Sequence, residues 1–196
     1  TIDDFIYSLS ELKKIDQNRL LFLLYQVYLK SEVVPKDQFI NYLSWASLFL
    51  KDINEIDMQL VSAEEVFVNL AEIKRLETSF ANFTLSANQQ KYIAFYQSLR
   101  PLYLQFQKKL FEKKIGYDGL IYKEVAENIS QYAMKNNFKK YFFIGFNAFS
   151  QSEITIVRHY IEHYQADILF DLDSFYYSPN SDSHIAQQIN HIVKEL

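Results

Sequence analysis

A mainly α chain with a small α/β part at its end is what this sequence predicts: a helical domain over residues 1–138, then a partial α/β unit over 139–196. Three observations carry that prediction. Only 3 of the 196 residues are glycine, which suits long helices and disfavours tight hairpins and Gly-rich loops. Apolar residues recur at spacings of three and four over most of the chain. The pattern changes at Tyr141-Phe142-Phe143-Ile144-Gly145-Phe146, a continuous apolar run of strand length.

The elements follow in order. Ile2, Phe5, Ile6, Leu9, Leu12 and Ile15 predict a helix over 2–15, and Asp16 stands where the N-cap of the next belongs. Leu20, Leu24 and Val27 carry the second helix, which ends before Pro35; a third runs from Pro35 to about Leu60 and holds the single tryptophan, Trp45. Ser62 and Glu65 form a capping box for a fourth, with Val66, Phe67, Leu70, Ile73 and Leu76 inward. A polar loop over 78–87 precedes one long helix, 88–115, kinked at Pro101 and closed by Gly116 as its C′ residue. Another helix spans 120–136. The run 141–146 reads as a buried parallel strand. Ser150 and Glu153 cap a helix to about His163, and 166–171 reads as a second strand, which makes a βαβ unit. A polar loop over 178–183 and a helix over 184–195 complete the chain. Two strands alone leave a parallel sheet unprotected, so further strands lie elsewhere in the protein or the sheet is small with open edges.

Composition sets the function classes. With 49% apolar and 22% charged residues the chain folds into a globular core. The absence of cysteine excludes disulfides, thiolate catalysis and Cys-ligated zinc. No apolar run reaches the ~18–20 residues of a membrane span, and the N-terminus does not read as a signal peptide. Thr1 and Leu196 read as the limits of a piece of a larger intracellular, cytoplasmic protein. The net charge of −4 is unevenly spread: residues 1–99 carry −4, 100–145 carry +5 and 146–196 carry −5. The basic third could meet phosphates. Lys108, Lys109, Lys113 and Lys114 stand at i, i+1, i+5 and i+6, spread over half of one helix end, with Lys109 and Lys113 one turn apart. They are the candidate DNA contacts, on single-stranded DNA as the candidate partner.

Other constellations are weaker. His159-Tyr160-Ile161-Glu162-His163 matches H-x-x-E-H, which would place two imidazoles and a general base on one helix face for a zinc hydrolase. A catalytic zinc needs a third protein ligand, and the only later glutamate is Glu195, so no metal is expected here. Asp171 and Asp173 close the second strand, where α/β proteins place ligands, but no phosphate clamp accompanies them. His184 and His191 lie two turns apart, too far to share an ion. The aromatic stripe from Tyr92 to Phe111 fits helix packing better than base stacking. No Walker A lysine motif, Ser/His/Asp group or cofactor site is present. A purely protein-binding helical adaptor is the remaining alternative.

A family resemblance sharpens this. The segment from Trp45 through Leu48-Phe49-Leu50-Lys51-Asp52-Ile53-Asn54-Glu55-Ile56-Asp57, continuing to Lys74, resembles the "W…LL-x-DFNEID" region of bacterial helicase–nucleases. Gly119-Leu120-Ile121-Tyr122-Lys123-Glu124-Val125-Ala126 resembles their "G-x-x-Y-R-x-x-A" helix. Ile144-Gly145-Phe146-Asn147-Ala148-Phe149-Ser150 and Asp171-Leu172-Asp173-Ser174-Phe175-Tyr176-Tyr177 resemble their later strand–helix and strand–turn units. Over residues 2–190 the chain is similar to AddB/RecB-like proteins of the PD-(D/E)XK nuclease class, particularly the long Bacteroidetes form. The resemblance implies a superfamily I helicase-like region: a helical 1B-like insertion, then a βαβ unit of a P-loop-type motor domain 1A, from the Walker B strand to motif III. An active Walker B strand ends in Asp-Glu; here Ile144 and Gly145 hold those positions, which implies an inactivated motor that scaffolds DNA without hydrolysing ATP. The implied partners are the remaining domains of the parent helicase–nuclease and its helicase subunit. The nuclease residues lie outside this segment, so no catalytic residue carries over.

Overall fold

The computed structural model describes residues 1–31, 36–79, 87–135, 138–146 and 148–170, with the backbone alone for 74–79, 87 and 88. Among these residues the chain is mainly helical, with eight helices and two small parallel strand pairs. It condenses into two compact units, Glu11–Ile121 and Thr1–Ser10 with the chain from Tyr122 onward. The boundary expected near residue 138 falls inside the second unit.

The first unit opens with β1 (Lys13–Lys14), followed by α2 (Gln17–Lys30), α3 (Phe39–Met58), α4 (Ala63–Ser79), α5 (Ala87–Glu112) and β2 (Ile115–Gly116); α1 (Ile2–Leu9) precedes β1 and belongs to the other unit. The single helix expected over 2–15 therefore stops early: Ser10 caps α1 in an extended conformation, and Lys13–Lys14 pairs in parallel with Ile115–Gly116. Asp16 caps α2 as expected, its carboxylate accepting from the Arg19 N–H at 3.0 Å. At the other end of α2 the Lys36 ammonium donates to the carbonyls of Tyr28 and Ser31 at 2.7 and 2.6 Å, satisfying groups that a helix end leaves open. The Ser62 hydroxyl accepts from the Glu65 N–H at 3.3 Å at the start of α4. Phe67 and Ala71 face inward there, but Ile73, expected inward, is 51% exposed. Leu76 lies outside the residues whose side chains are described.

The end of α5 departs from expectation. The helix stops at Glu112, and the residue with a left-handed backbone is Lys114 (φ 51°), not Gly116. Gly116 instead lies in β2, which continues from that turn. Pro101 lies inside α5, as its place in the sequence predicts.

Packing in this unit centres on aromatic rings. Tyr28, Tyr42, Trp45, Phe49, Phe67 and Tyr103 form a chain of ring contacts at centroid separations of 5.1–6.2 Å linking α2, α3, α4 and α5. One carboxyl group is sealed at its end. Asp57, 0% exposed, accepts from the Tyr103 hydroxyl at 2.5 Å, from the Gln107 amide at 3.0 Å and from the Tyr117 hydroxyl. Burial, with the Asp57 carboxyl beside it, pushes the Tyr117 phenol well above its ordinary range. One turn back on α3, the Asn54 side-chain oxygen accepts from the Gly119 N–H at 2.8 Å. The approach is so close that a β-carbon on Gly119 would stand 2.1 Å from the Asn54 carbonyl oxygen. Only glycine fits there.

The second unit joins α1 to the chain after Ile121: the remainder of α6 (Asp118–Glu127), α7 (Ile129–Ala133), β3 (Tyr141–Ile144), α8 (Gln151–His163) and β4 (Ala166–Leu169). The helix expected over 120–136 is two helices. At the break, the Asn128 amide donates to the Glu124 carbonyl at 2.8 Å, and its backbone N–H is shared between the carbonyls of Glu124 and Val125. Glu124, 8% exposed, accepts from the Ser10 hydroxyl at 2.8 Å and from the Tyr132 hydroxyl. Tyr122 donates to Asp3, so α1 is held to α6 by polar contacts.

The βαβ unit is present. β3 and β4 pair in parallel, Tyr141 opposite Ala166 and Ile144 opposite Leu169. Ser150 and Glu153 form the expected capping box of α8. The burial of β3 alternates, however. Tyr141 and Phe143 pack under Phe5 and Tyr160, while Phe142 and Ile144 are 56% and 64% exposed. The apolar run thus does not mark a strand covered on both faces. The expected loop over 178–183 and helix over 184–195 lie outside the described residues.

Gly119→Ala is expected to destabilise the chain by about 1–3 kcal/mol, because the new methyl meets backbone that cannot give way without moving α3. Urea unfolding followed by circular dichroism measures this; a midpoint within error of the parent's would show that the contact is loose.

Candidate nucleic-acid interface

The four candidate lysines do not share one helical register. Lys108 and Lys109 lie in the last turns of α5. Lys113 and Lys114 lie beyond it, in a tight turn where their N–H groups reach back to the carbonyls of Leu110 and Phe111 at 3.1 and 3.0 Å. Lys109, rather than pairing with Lys113 along a track, stands 3.9 Å from Glu112. Lys114 stands 3.8 Å from Glu11, with both groups exposed, so the attraction is weak. No ion pair forms at Lys108 or Lys113 among the described residues.

Lys108 and Lys109 instead face α2. With Gln105 and Glu112 they form one wall of a shallow groove of about 210 Å³, and Gln26, Val27 and Lys30 form the other. Three ammonium groups and two primary amides therefore surround one carboxylate. A larger groove of about 410 Å³, lined by Lys14, Asp16, Lys51, Asn54, Tyr117 and Asp118 among others, balances its charges: Lys14 bridges Asp118 at 2.9 Å. The smaller groove is the one with charge left to offer an anion. Lys30 was not legible as part of this site, because nothing in the sequence sets α2 beside α5. The aromatic stripe of α5 is mostly core: Leu99, Leu102, Tyr103, Phe106 and Leu110 are buried, whereas Tyr92 and Phe111, near its ends, are 45% and 43% exposed.

The remaining sequence candidates fall in the second unit. Ile144 is exposed at the end of β3, and Gly145 follows with φ 80°, its N–H donating to the Leu169 carbonyl at 3.2 Å. Glycine satisfies that backbone at no steric cost, which explains the residue independently of any motor ancestry. On α8 the rings of His159 and His163 stack at 4.4 Å. The His163 Nδ1 lies 3.1 Å from the His159 carbonyl oxygen and 3.9 Å from Glu162. Among the described residues no three His, Asp or Glu side chains gather into a cluster able to hold a metal. Asp171, Asp173, His184, His191 and Glu195 lie outside the described residues. No helix among the described residues is long and apolar enough to cross a membrane.

No family model, curated protein or solved structure matches the chain. The reading of this site therefore rests on its own chemistry.

Burial, and after it the neighbouring His163, holds the His159 imidazole below its ordinary pKa, against a smaller opposing pull from Glu162. Below about pH 6.5 the unfolded chain then takes up a proton more readily than the folded one, so this group's contribution to stability is present above that pH and is lost as pH falls. His159→Gln is expected to reduce the drop in melting temperature between pH 7.5 and pH 5.5. Parallel pH profiles of parent and variant would show this group to be silent.

Proposed function

We propose that this chain is a non-catalytic, helicase-like scaffold from a DNA-repair or recombination helicase–nuclease, and that it holds single-stranded DNA along the α2–α5 groove. The observation that carries the proposal is the groove itself: Lys30, Lys108 and Lys109 on two packed helices, opposed by Glu112 alone. Phosphate is the ligand such a set attracts, since each neutralised phosphate releases counterions. The resemblance to AddB/RecB-like proteins supports the same reading. Its two helical segments touch through Asn54 and Gly119, so the residues that carry the likeness build the frame on which the groove rests. The remaining domains of the parent protein and its helicase subunit are the proposed protein partners.

With a net charge of −4, the chain is expected to bind single strands weakly and without sequence preference, in the ~10⁻⁴ M range at physiological salt. Replacing Lys30 and Lys108 together by Glu should weaken binding at low salt and flatten its salt dependence by roughly 0.7 per lost contact. A fluorescent-oligonucleotide salt titration tests this. Unchanged affinity and slope place the contact elsewhere, and no binding by the parent chain at low salt favours the protein-only adaptor.

The motor is proposed to be inactive because the Walker B positions, Ile144 and Gly145, carry no oxygen ligand for Mg²⁺. A coupled-enzyme assay with ATP and magnesium is expected to read background; turnover that tracks the purified chain would refute an inactive motor.

A further inference from the structure

We infer that the groove between α4 and α5 docks an amphipathic helix of a protein partner, one that sets apolar side chains into the groove and basic ones against its rim. The lysine groove proposed for single strands is a separate one, between α2 and α5, so neither contact depends on the other. The α4–α5 groove measures about 430 Å³. Much of its wall is apolar, with Phe67, Val68 and Ala71 on α4 facing Pro101 and Leu104 on α5. Phe67 and Ala71 are buried, but Val68 and Leu104 are 45% and 49% exposed, so each wall leaves one aliphatic side chain to solvent. From Gln97 to Leu104 the α5 wall runs about 10 Å, or about two helical turns. A helix laid along such a groove reaches it with apolar residues at i, i+3 or i+4, and i+7.

The groups around the groove fix the charge that this partner brings. Glu64, Glu65 and Glu72 stand at i−4, i−3 and i+4 from Val68, the spacings at which side chains on one helix are neighbours. Glu64 is matched within the chain, its carboxylate accepting from the Arg100 guanidinium at 2.5 Å. Glu65 and Glu72 are exposed and enter no ion pair among the described residues. A further acceptor comes from the backbone. Pro101 has no N–H to return to the Gln97 carbonyl one turn earlier, and both residues line the groove. The site therefore calls for donors and positive charge, which lysine and arginine supply. Nucleic acid brings the wrong sign, since its phosphates would meet two carboxylates, and an acidic helix fails for the same reason. An uncharged apolar segment would cover Val68 and Leu104 but strip water from Glu65 and Glu72 without pairing them.

The test uses the 196-residue chain and two short, hydrocarbon-stapled, fluorescein-labelled helices at physiological salt. One carries leucine at the spacings above and lysine elsewhere; the other has glutamate in place of lysine. Fluorescence anisotropy should show the leucine–lysine helix binding at least roughly threefold tighter, as exposed ion pairs allow. Val68→Ser with Leu104→Ser should weaken it roughly five- to thirtyfold and leave oligonucleotide binding unchanged. Glu65→Lys with Glu72→Lys should reverse the preference between the two helices. Glu55→Lys with Glu127→Lys makes the same change of net charge outside the groove and should preserve it. Equal binding of the two helices, or binding of neither, overturns the inference. So does loss of the preference in the Glu55 and Glu127 variant, which marks attraction by net charge alone. A chain that dimerises in sedimentation, and loses the dimer in Val68→Ser with Leu104→Ser, overturns the partner helix in favour of a second copy. Melting curves of each variant show that these exposed positions leave the fold intact.

Discussion

The carboxyl group of Asp57 reaches no solvent, and its oxygens accept from two phenols and an amide. A buried carboxyl without partners is among the most expensive groups a fold can hold. Each donor that now points at it would cost about 1–3 kcal/mol if left unpaired. The group therefore fixes three things at once: the last turns of α3, the C-terminal half of α5 through Tyr103 and Gln107, and the chain leaving β2 through Tyr117. The contact of Asn54 with Gly119, one turn earlier on α3, tightens the same junction. The lysine groove uses other residues of the same helix, Gln105, Lys108, Lys109 and Glu112.

This division of labour suits a scaffold. The residues with demanding environments in the helical unit are committed to packing, and the groups left for the proposed recognition are the lysines of the α2–α5 groove. The proposed phosphate contact requires placement of charged side chains and no tuned proton transfer. The second unit adds a small sheet on which Phe142, Ile144 and Leu169 are exposed and Asp167, opposite Phe142, pairs with Lys140 at 2.6 Å.

Much of the local structure was legible because local chemistry dictates it. Asp16, Ser62 and Ser150 announce helix starts through oxygens that accept from nearby N–H groups, and the βαβ unit follows from two short apolar runs around one capped helix. What was hidden depends on distant partners. Nothing in Lys13-Lys14 marks a strand, because two residues are too few for a period to show and their pairing partner is supplied by the end of α5. The extension of the first helix to residue 15 failed for the same reason: Leu12 is buried as its spacing required, but in a non-helical backbone. Gly116 attracted the role of helix terminator by residue type, whereas Lys114 takes the left-handed conformation at a cost of roughly 1 kcal/mol. The four lysines kept their exposure and lost their common register once α5 ended at Glu112. Lys30 joined them through a helix–helix contact that no spacing within either helix encodes.

The pairing of β1 with β2 joins Lys13 to Ile115 and Lys14 to Gly116, positions separated by about a hundred residues of chain. Closing so long a loop is entropically unfavourable, and four short residues of parallel strand return little for it. Contacts of this kind form only after something else has brought the ends together. The four helices between them must therefore be docked before the strands can meet, so the pairing is a late event in folding and an early loss in unfolding. The turn that carries Lys113 and Lys114 thereby reports on the whole helical unit: it reaches its native shape only when the chain on both sides of it has already found its own.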